Sequence, residues 1–157
     1  MYARILAGVD GSTHAAHALQ HAVELAKACG AALRIVHVAD MGWLPVGPEL
    51  GIDINRLVDA RRANGKQLLA DAVELARKAG FAAEARLVET ATPTQPAAAA
   101  LLEEAAAWPA DMVVLGTRGR GRLECLLLGS VADGVARRST VPVVLVPSSE
   151  APETRHT

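Results

Sequence analysis

Aromatic residues are scarce in this sequence, with two Trp, one Tyr and one Phe among 157 residues. A core built on stacked rings is therefore excluded, and Ala, Val, Leu and Ile must fill it, as the 51% hydrophobic content allows. Charge of either sign is not in excess: the formal net charge is −1, which removes the electrostatic ground for binding nucleic acid or an anionic membrane surface. Nor does any apolar run approach the roughly 18–20 residues needed to cross a bilayer. The two cysteines, Cys29 and Cys125, have neither a disulfide-framework nor a metal-ligand spacing. The opening Met1-Tyr2-Ala3-Arg4-Ile5 runs into a strand pattern without the features of a signal peptide. These absences lead to the expectation of a reduced, cytoplasmic setting, with neither nucleic acid nor membrane as partner. The length suits one domain, expected over residues 1–147, with a polar and disordered tail over 148–157.

The most informative stretch runs from Asp111 to Val146. Met112-Val113-Val114-Leu115 is short, apolar and β-branched, as a buried strand should be. Ser130 to Arg138 has helical spacing, with Val131, Val135 and Arg138 on one stripe. Between them lies Gly116-Thr117-Arg118-Gly119-Arg120-Gly121-Arg122-Leu123-Glu124-Cys125-Leu126-Leu127-Leu128-Gly129. A Gly-rich loop that leaves a strand and ends at a helix start combines close backbone approach with unpaired N–H groups and a partial positive charge. Ser130 adds a hydroxyl, and Arg118, Arg120 and Arg122 add cations, of which Arg118 is best placed. The ligand this suits is a phosphate. The segment has no Lys and so is not a P-loop, and it lacks the dinucleotide fingerprint, which belongs after a first strand.

What remains is Gly-x2-Gly-x9-Gly-Ser, at Gly116, Gly119, Gly129 and Ser130. This resembles the pattern of the ATP-binding branch of the universal stress protein family. Asp111 to Gly116, Leu126 to Ala132, Val141 to Val146 and Ile5 to Ser12 are similar to that family in the right order, over residues 2–147. The turn Thr90-Ala91-Thr92-Pro93-Thr94-Gln95-Pro96-Ala97 departs from it, because the family usually has a glycine followed by proline and isoleucine there.

Taken in order, the chain alternates strands and helices. Strands are expected at Arg4–Val9, Ala32–Val38, Ala82–Val88, Met112–Leu115 and Val143–Val146. Helices are expected at Thr13–Cys29, Asn55–Lys78, Ala97–Ala107 and Ser130–Arg138. Ser12 is positioned as an N-cap, and Gly30 and Gly80 as stops. Between Asp40 and Ile54, glycines and prolines exclude regular structure while Trp43, Leu44, Leu50 and Ile52 seek burial, which suggests a loop folding over something, such as a lid. Apolar strands separated by helices mean a parallel sheet covered on both faces. The fold class is thus α/β, a single open doubly wound five-stranded sheet. The resemblance implies the strand order 3-2-1-4-5 of an adenine-nucleotide α-hydrolase-like domain. Asp10 and Gly116 would then meet at a switch point, where open α/β sheets bind ligands.

The resemblance also implies roles. Backbone N–H groups near Gly119, Gly129, Ser130 and Val131, with the Ser130 hydroxyl, would hold phosphates. Asp10 would sit near the ribose or a phosphate-bound cation, the Val38 backbone would recognise adenine, and Val9 and Leu115 would line the base and sugar pocket. The implied ligand is ATP with Mg2+ held mainly by the phosphates, and the implied assembly is a homodimer through the edge strand Val143–Val146.

Two features attract other readings. Cys125, near a helix start, is placed where a thiol can be activated, although a small buried residue explains it as well. His14, His17 and His21 share a helix face as zinc ligands do. Their stripe lies opposite Ala15, Leu19 and Ala22 and beside Glu24 and Lys27, which makes it a solvent face. Phosphoryl transfer needs a positioned base and carboxylate-held metal; Asp10 is the only acid clearly directed at the crevice, and no catalytic residue is assigned. The expected function is a nucleotide-dependent regulator or sensor in stress response with at most slow hydrolysis. The alternatives are an ATPase or adenylyl-handling hydrolase on the same fold, and an interaction module that does not bind nucleotide.

Overall fold

The computed structural model describes residues 2–42, 51, 53–117 and 128–147. The element order is β1 (Arg4–Gly8), α1 (Thr13–Cys29), β2 (Ala32–Ala39), α2 (Ile54–Lys78), β3 (Glu84–Glu89), α3 (Ala97–Ala107), β4 (Met112–Gly116), α4 (Ser130–Arg138) and β5 (Val143–Val146). The strands form one five-stranded sheet in the order β3-β2-β1-β4-β5, and every pairing is parallel. The expected α/β class and strand order therefore hold. The expected lid over Asp40–Ile54, the arginine-rich loop with Arg118 and Gly119, Cys125 and the 148–157 tail fall wholly or largely outside the described residues.

Local chemistry sets the helix ends. The Ser12 side chain accepts from the Ala15 N–H at 3.1 Å, starting α1. At its other end Gly30 takes φ 63°, the left-handed conformation a Cβ disfavours, and its N–H returns to the last turn. Asp53 caps α2 by accepting from the Asn55 N–H at 3.0 Å.

Alternation along the strands divides the core in two. Ile5, Ala7, Val9, Leu33, Ile35, Met112 and Val114 face α1 and α2. Leu6, Val36, Val113 and Leu115 face the other way, against Ala98, Leu101 and Ala105 of α3 and Val135 of α4. Both layers use small side chains, with Ala15, Ala18, Ala22 and Ala26 buried along α1; at such positions a helix can lie close to a sheet without rings between them. Asp111 ties the β1 start to β4, accepting from the Ala3 N–H at 2.7 Å and the Arg4 N–H at 2.8 Å through one carboxylate oxygen.

Two expectations need correction. Val131 is 37% exposed, and the buried stripe of α4 is Ala132 and Val135 instead. The helix is rotated so that Gly134 meets α3, where an added Cβ would come within 2.7 Å of the Ala98 Cβ. The third strand is not uniformly apolar. Its first three residues are exposed and its last three half-buried, because it lies at the edge of the sheet.

Candidate functional site

β1 and β4 are neighbours whose chain connections depart to opposite sides, so their carboxyl ends open a crevice at the switch point. A Cβ at Gly8 would fall 2.5 Å from Leu115 Cδ2, so glycine lets the Leu115 side chain fold across the end of β1 without shifting. Asp10 follows β1 with its carboxylate fixed: Oδ1 accepts from the Ser12 N–H at 2.9 Å and the Ser12 hydroxyl at 2.5 Å. The cap of α1 and the orientation of Asp10 are thus one arrangement, and Oδ2 is left as an acceptor.

Beyond β4, the Thr117 N–H donates to the Val146 carbonyl at 3.0 Å, and the Thr117 carbonyl accepts from the Gly129 N–H at 2.7 Å. These two bonds bring the start of α4 back to the end of β4. Gly129 is the N-cap residue and has no side-chain cap bond. Ser130 and Val131 are the first residues of the helix, both exposed, so their backbone N–H groups stand at the positive end of its dipole. The Gly129 N–H is engaged with Thr117, so Ser130 and Val131 supply the donors here.

On the other side of β1 lies a cleft of about 360 Å³, lined by Asp10, His37, Val38, Ala39, Asp40, Arg61 and Asn64. Of the expected site residues, Asp10 and Val38 line it together. Gly116, Gly129, Ser130 and Val131 belong to the same end of the sheet but are not among its walls. Val9 and Leu115 are 8% and 5% exposed, with side chains in opposite core layers, so they do not line the cleft as expected. Alternation explains this, since strand ends that supply backbone to a crevice still bury their side chains. Arg118 and Gly119 lie outside the described residues.

Sequence reading missed five of the cleft's walls, the small Ala39 and four polar residues. Asp40 is a second acid there, so Asp10 is not alone; its Oδ1 accepts from the Gly42 N–H at 2.8 Å. Arg61 reaches from α2 to donate to the Asp40 carbonyl, and Asn64 is one turn further along. His37 Nδ1 lies 2.8 Å from the Val9 carbonyl. A signal existed for His37, a polar side chain in register with the buried Leu33 and Ile35. None existed for Arg61 and Asn64, which look like any exposed positions on a polar helix. The three-histidine face of α1 is as expected a surface feature: His21 is exposed, His14 and His17 half-buried, and the His17 and His21 rings meet edge to face at 4.8 Å.

Comparison with known proteins agrees with this architecture. The Universal stress protein family matches residues 1–147. The chain is 32% identical over 152 residues to the universal stress protein YxiE of Bacillus subtilis, covering 93% of this chain and 99% of that protein. It is 35% identical to a solved universal stress protein family member from Burkholderia pseudomallei, with a TM-score of 0.75 and coverage of 94% and 97%. A universal stress protein solved in complex with cAMP is 31% identical, with a TM-score of 0.67 and coverage of 92% and 97%. On sequence, strand order and fold together, this chain belongs to the universal stress protein family.

Proposed function

We propose that the protein is an adenine-nucleotide-binding regulator whose working ligand is ATP, bound at the carboxyl ends of β1 and β4. The observation that carries this reading is the convergence of an oriented Asp10 with the start of α4, held at the end of β4 through Thr117 and Gly129. A carboxylate acceptor suits ribose hydroxyls, and a helix start preceded by the Gly-x2-Gly-x9-Gly-Ser pattern suits phosphates. The Val38 backbone, on a wall of the cleft beside Asp10, is assigned the base. Arg118, Gly119, Ser130 and Val131 are assigned the phosphates, with Gly129, its N–H held by Thr117, only allowing their close approach, and the phosphate oxygens carry the Mg2+. A family member in complex with cAMP supports an adenine nucleotide as the ligand class. In this reading the protein acts through the bound state, hydrolyses ATP slowly at most, and pairs with a second copy through β5.

Calorimetric titration of nucleotide-stripped protein with Mg-ATP tests the assignment. Wild type should bind with one site per chain. Asp10→Asn, which can still accept from Ser12, should bind at least about tenfold more weakly, the loss of one charge-assisted hydrogen bond being about 1.5 kcal/mol or more. Absence of wild-type binding up to millimolar nucleotide would remove the proposal.

A further inference from the structure

His17 and His21 belong neither to the buried core nor to the cleft beside Asp10. They stand four residues apart on α1, so their side chains leave one face of the helix on successive turns. The opposite face anchors them, because Ala15, Ala18, Leu19, Ala22 and Val23 are buried. Their backbone positions are therefore fixed before any ligand arrives, as a precise site requires. The two rings meet edge to face with their centres 4.8 Å apart. That separation has a chemical meaning. With a metal–nitrogen bond of about 2.0–2.1 Å, each imidazole centre stands about 3.2 Å from a shared ion, and a bond angle of about 90–110° puts the two centres about 4.5–5.2 Å apart. The observed spacing falls inside that range, so the rings need only turn, without movement of the helix, to share an ion.

We propose that His17 and His21 form a two-histidine chelate for a late first-row divalent cation, Zn2+ in particular, on the outer face of α1. Neither ring is committed elsewhere, for no hydrogen bond or ion pair ties it to another described residue. Imidazole nitrogen suits Zn2+, whereas Mg2+ and Ca2+ take oxygen ligands. Among the described residues no three His, Cys, Asp or Glu groups lie together as a metal set. The site is thus an open one, with water in the remaining positions, and not a closed structural zinc centre. Exposure of His21 and half-burial of His17 let that water and the ion exchange with solvent, so a surface face and a chelate are compatible. His14, three residues before His17, makes no ring contact with it and is not a ligand. Glu24, three residues beyond His21, is exposed and stands 3.8 Å from Lys27; its carboxylate adds negative charge to this face without joining the pair. The proposal does not depend on the nucleotide reading.

The experiment is calorimetric titration of nucleotide-stripped, untagged protein with zinc chloride at about pH 7.5, where imidazole is mostly neutral. Wild type is compared with His17→Gln, His21→Gln and His14→Gln, glutamine being a good helix former without a ring. Wild type should bind one Zn2+ per chain. Loss of either His17 or His21 should weaken binding about tenfold or more, since removing even an outer partner of a metal ligand costs about 10–100-fold. His14→Gln should bind as wild type does, and the ring-proton NMR signals of His17 and His21 should move together as Zn2+ is added. No saturable binding up to millimolar Zn2+ would overturn the proposal. So would an affinity unchanged in His21→Gln, or a loss in His14→Gln as large as in the other two. Should the half-buried His17→Gln fail to fold, the exposed His21→Gln decides by itself.

Discussion

The two edges of the sheet, β3 and β5, are built on opposite principles. β3 pairs with β2 over six residues and carries Glu84, Arg86 and Glu89. Those charges are held in place. Arg34 of β2 donates to Glu84 at 2.8 Å and to Glu104 of α3 at 2.8 Å, and its guanidinium lies 4.6 Å from the Trp108 ring centre. Arg62 of α2 pairs with Glu89 and keeps its carboxyl below the usual range through that hydrogen bond. β5 has four residues, Val143, Val144, Leu145 and Val146, and no charge. An edge lined with charges refuses a further strand, while an apolar, uncharged one accepts it. The difference closes the β3 edge to a further strand and leaves the β5 edge as the one on which the proposed pairing with a second copy rests.

Hydrogen-bond parity sharpens the contrast. Val113 N–H donates to Pro142 and Thr117 N–H to Val146; since bonds alternate along a parallel ladder, the N–H groups of Val143 and Leu145 point to the open side. The largest effect should therefore come from Val143→Pro, which removes one of those outward N–H groups without taking a bond from the β4 ladder. Light scattering coupled to size exclusion is expected to report a dimer for wild type and a monomer for this variant. A monomeric wild type would break the comparison outright.

A smaller effect should follow from weakening the cover over β5. The long α2 lies over β2 and β3, whereas β5 has part of α1 on one face and the nine-residue α4 on the other, and of α4 only Ala132 and Val135 are buried. Val135 is fully buried, so Val135→Ala removes two methyl groups' worth of burial and leaves a cavity, for about 2 kcal/mol. Denaturant unfolding checks this, and nucleotide affinity should fall with it because α4 carries Ser130 and Val131.

The smallest effect concerns how each half is joined to β1. β2 pairs with it over five residues and β4 over three, and Asp111 supplements the shorter ladder. The N–H groups of Ala3 and Arg4 hold the Asp111 carboxyl below its ordinary value of 3.8. A depressed carboxylate contributes stability above its unfolded pKa and loses it as pH falls through the native value. Asp111→Asn should therefore be less stable than wild type at neutral pH, and the gap should begin to narrow near pH 4, about where the unfolded carboxyl takes up its proton, and close as pH falls through the lower native value. Thermal unfolding across that range is the measurement, and a gap independent of pH would count against the carboxylate's role.

Much of this was legible beforehand because it is local. Ser12, Gly30 and Gly80 mark helix ends by backbone chemistry, and α1, α3, α4 and β5 begin and end at the expected residues. Val131 was misread because spacing identifies which residues share a face but not which face a helix turns inward. On α4 that is decided by the close contact of Gly134 with Ala98. The phosphate pattern was legible as a spacing, whereas the cleft was not, since its walls come from β1, β2 and a helix some twenty residues further on.

By itself, then, the sequence determined the alternation of strands and helices, the caps, an aliphatic core without rings, and the family, because each is written in short-range pattern or in spacing along the chain. Tertiary structure alone decided which side chains share the cleft. His37, Arg61 and Asn64 became neighbours of Asp10 only once β2 paired beside β1 and α2 packed over β2.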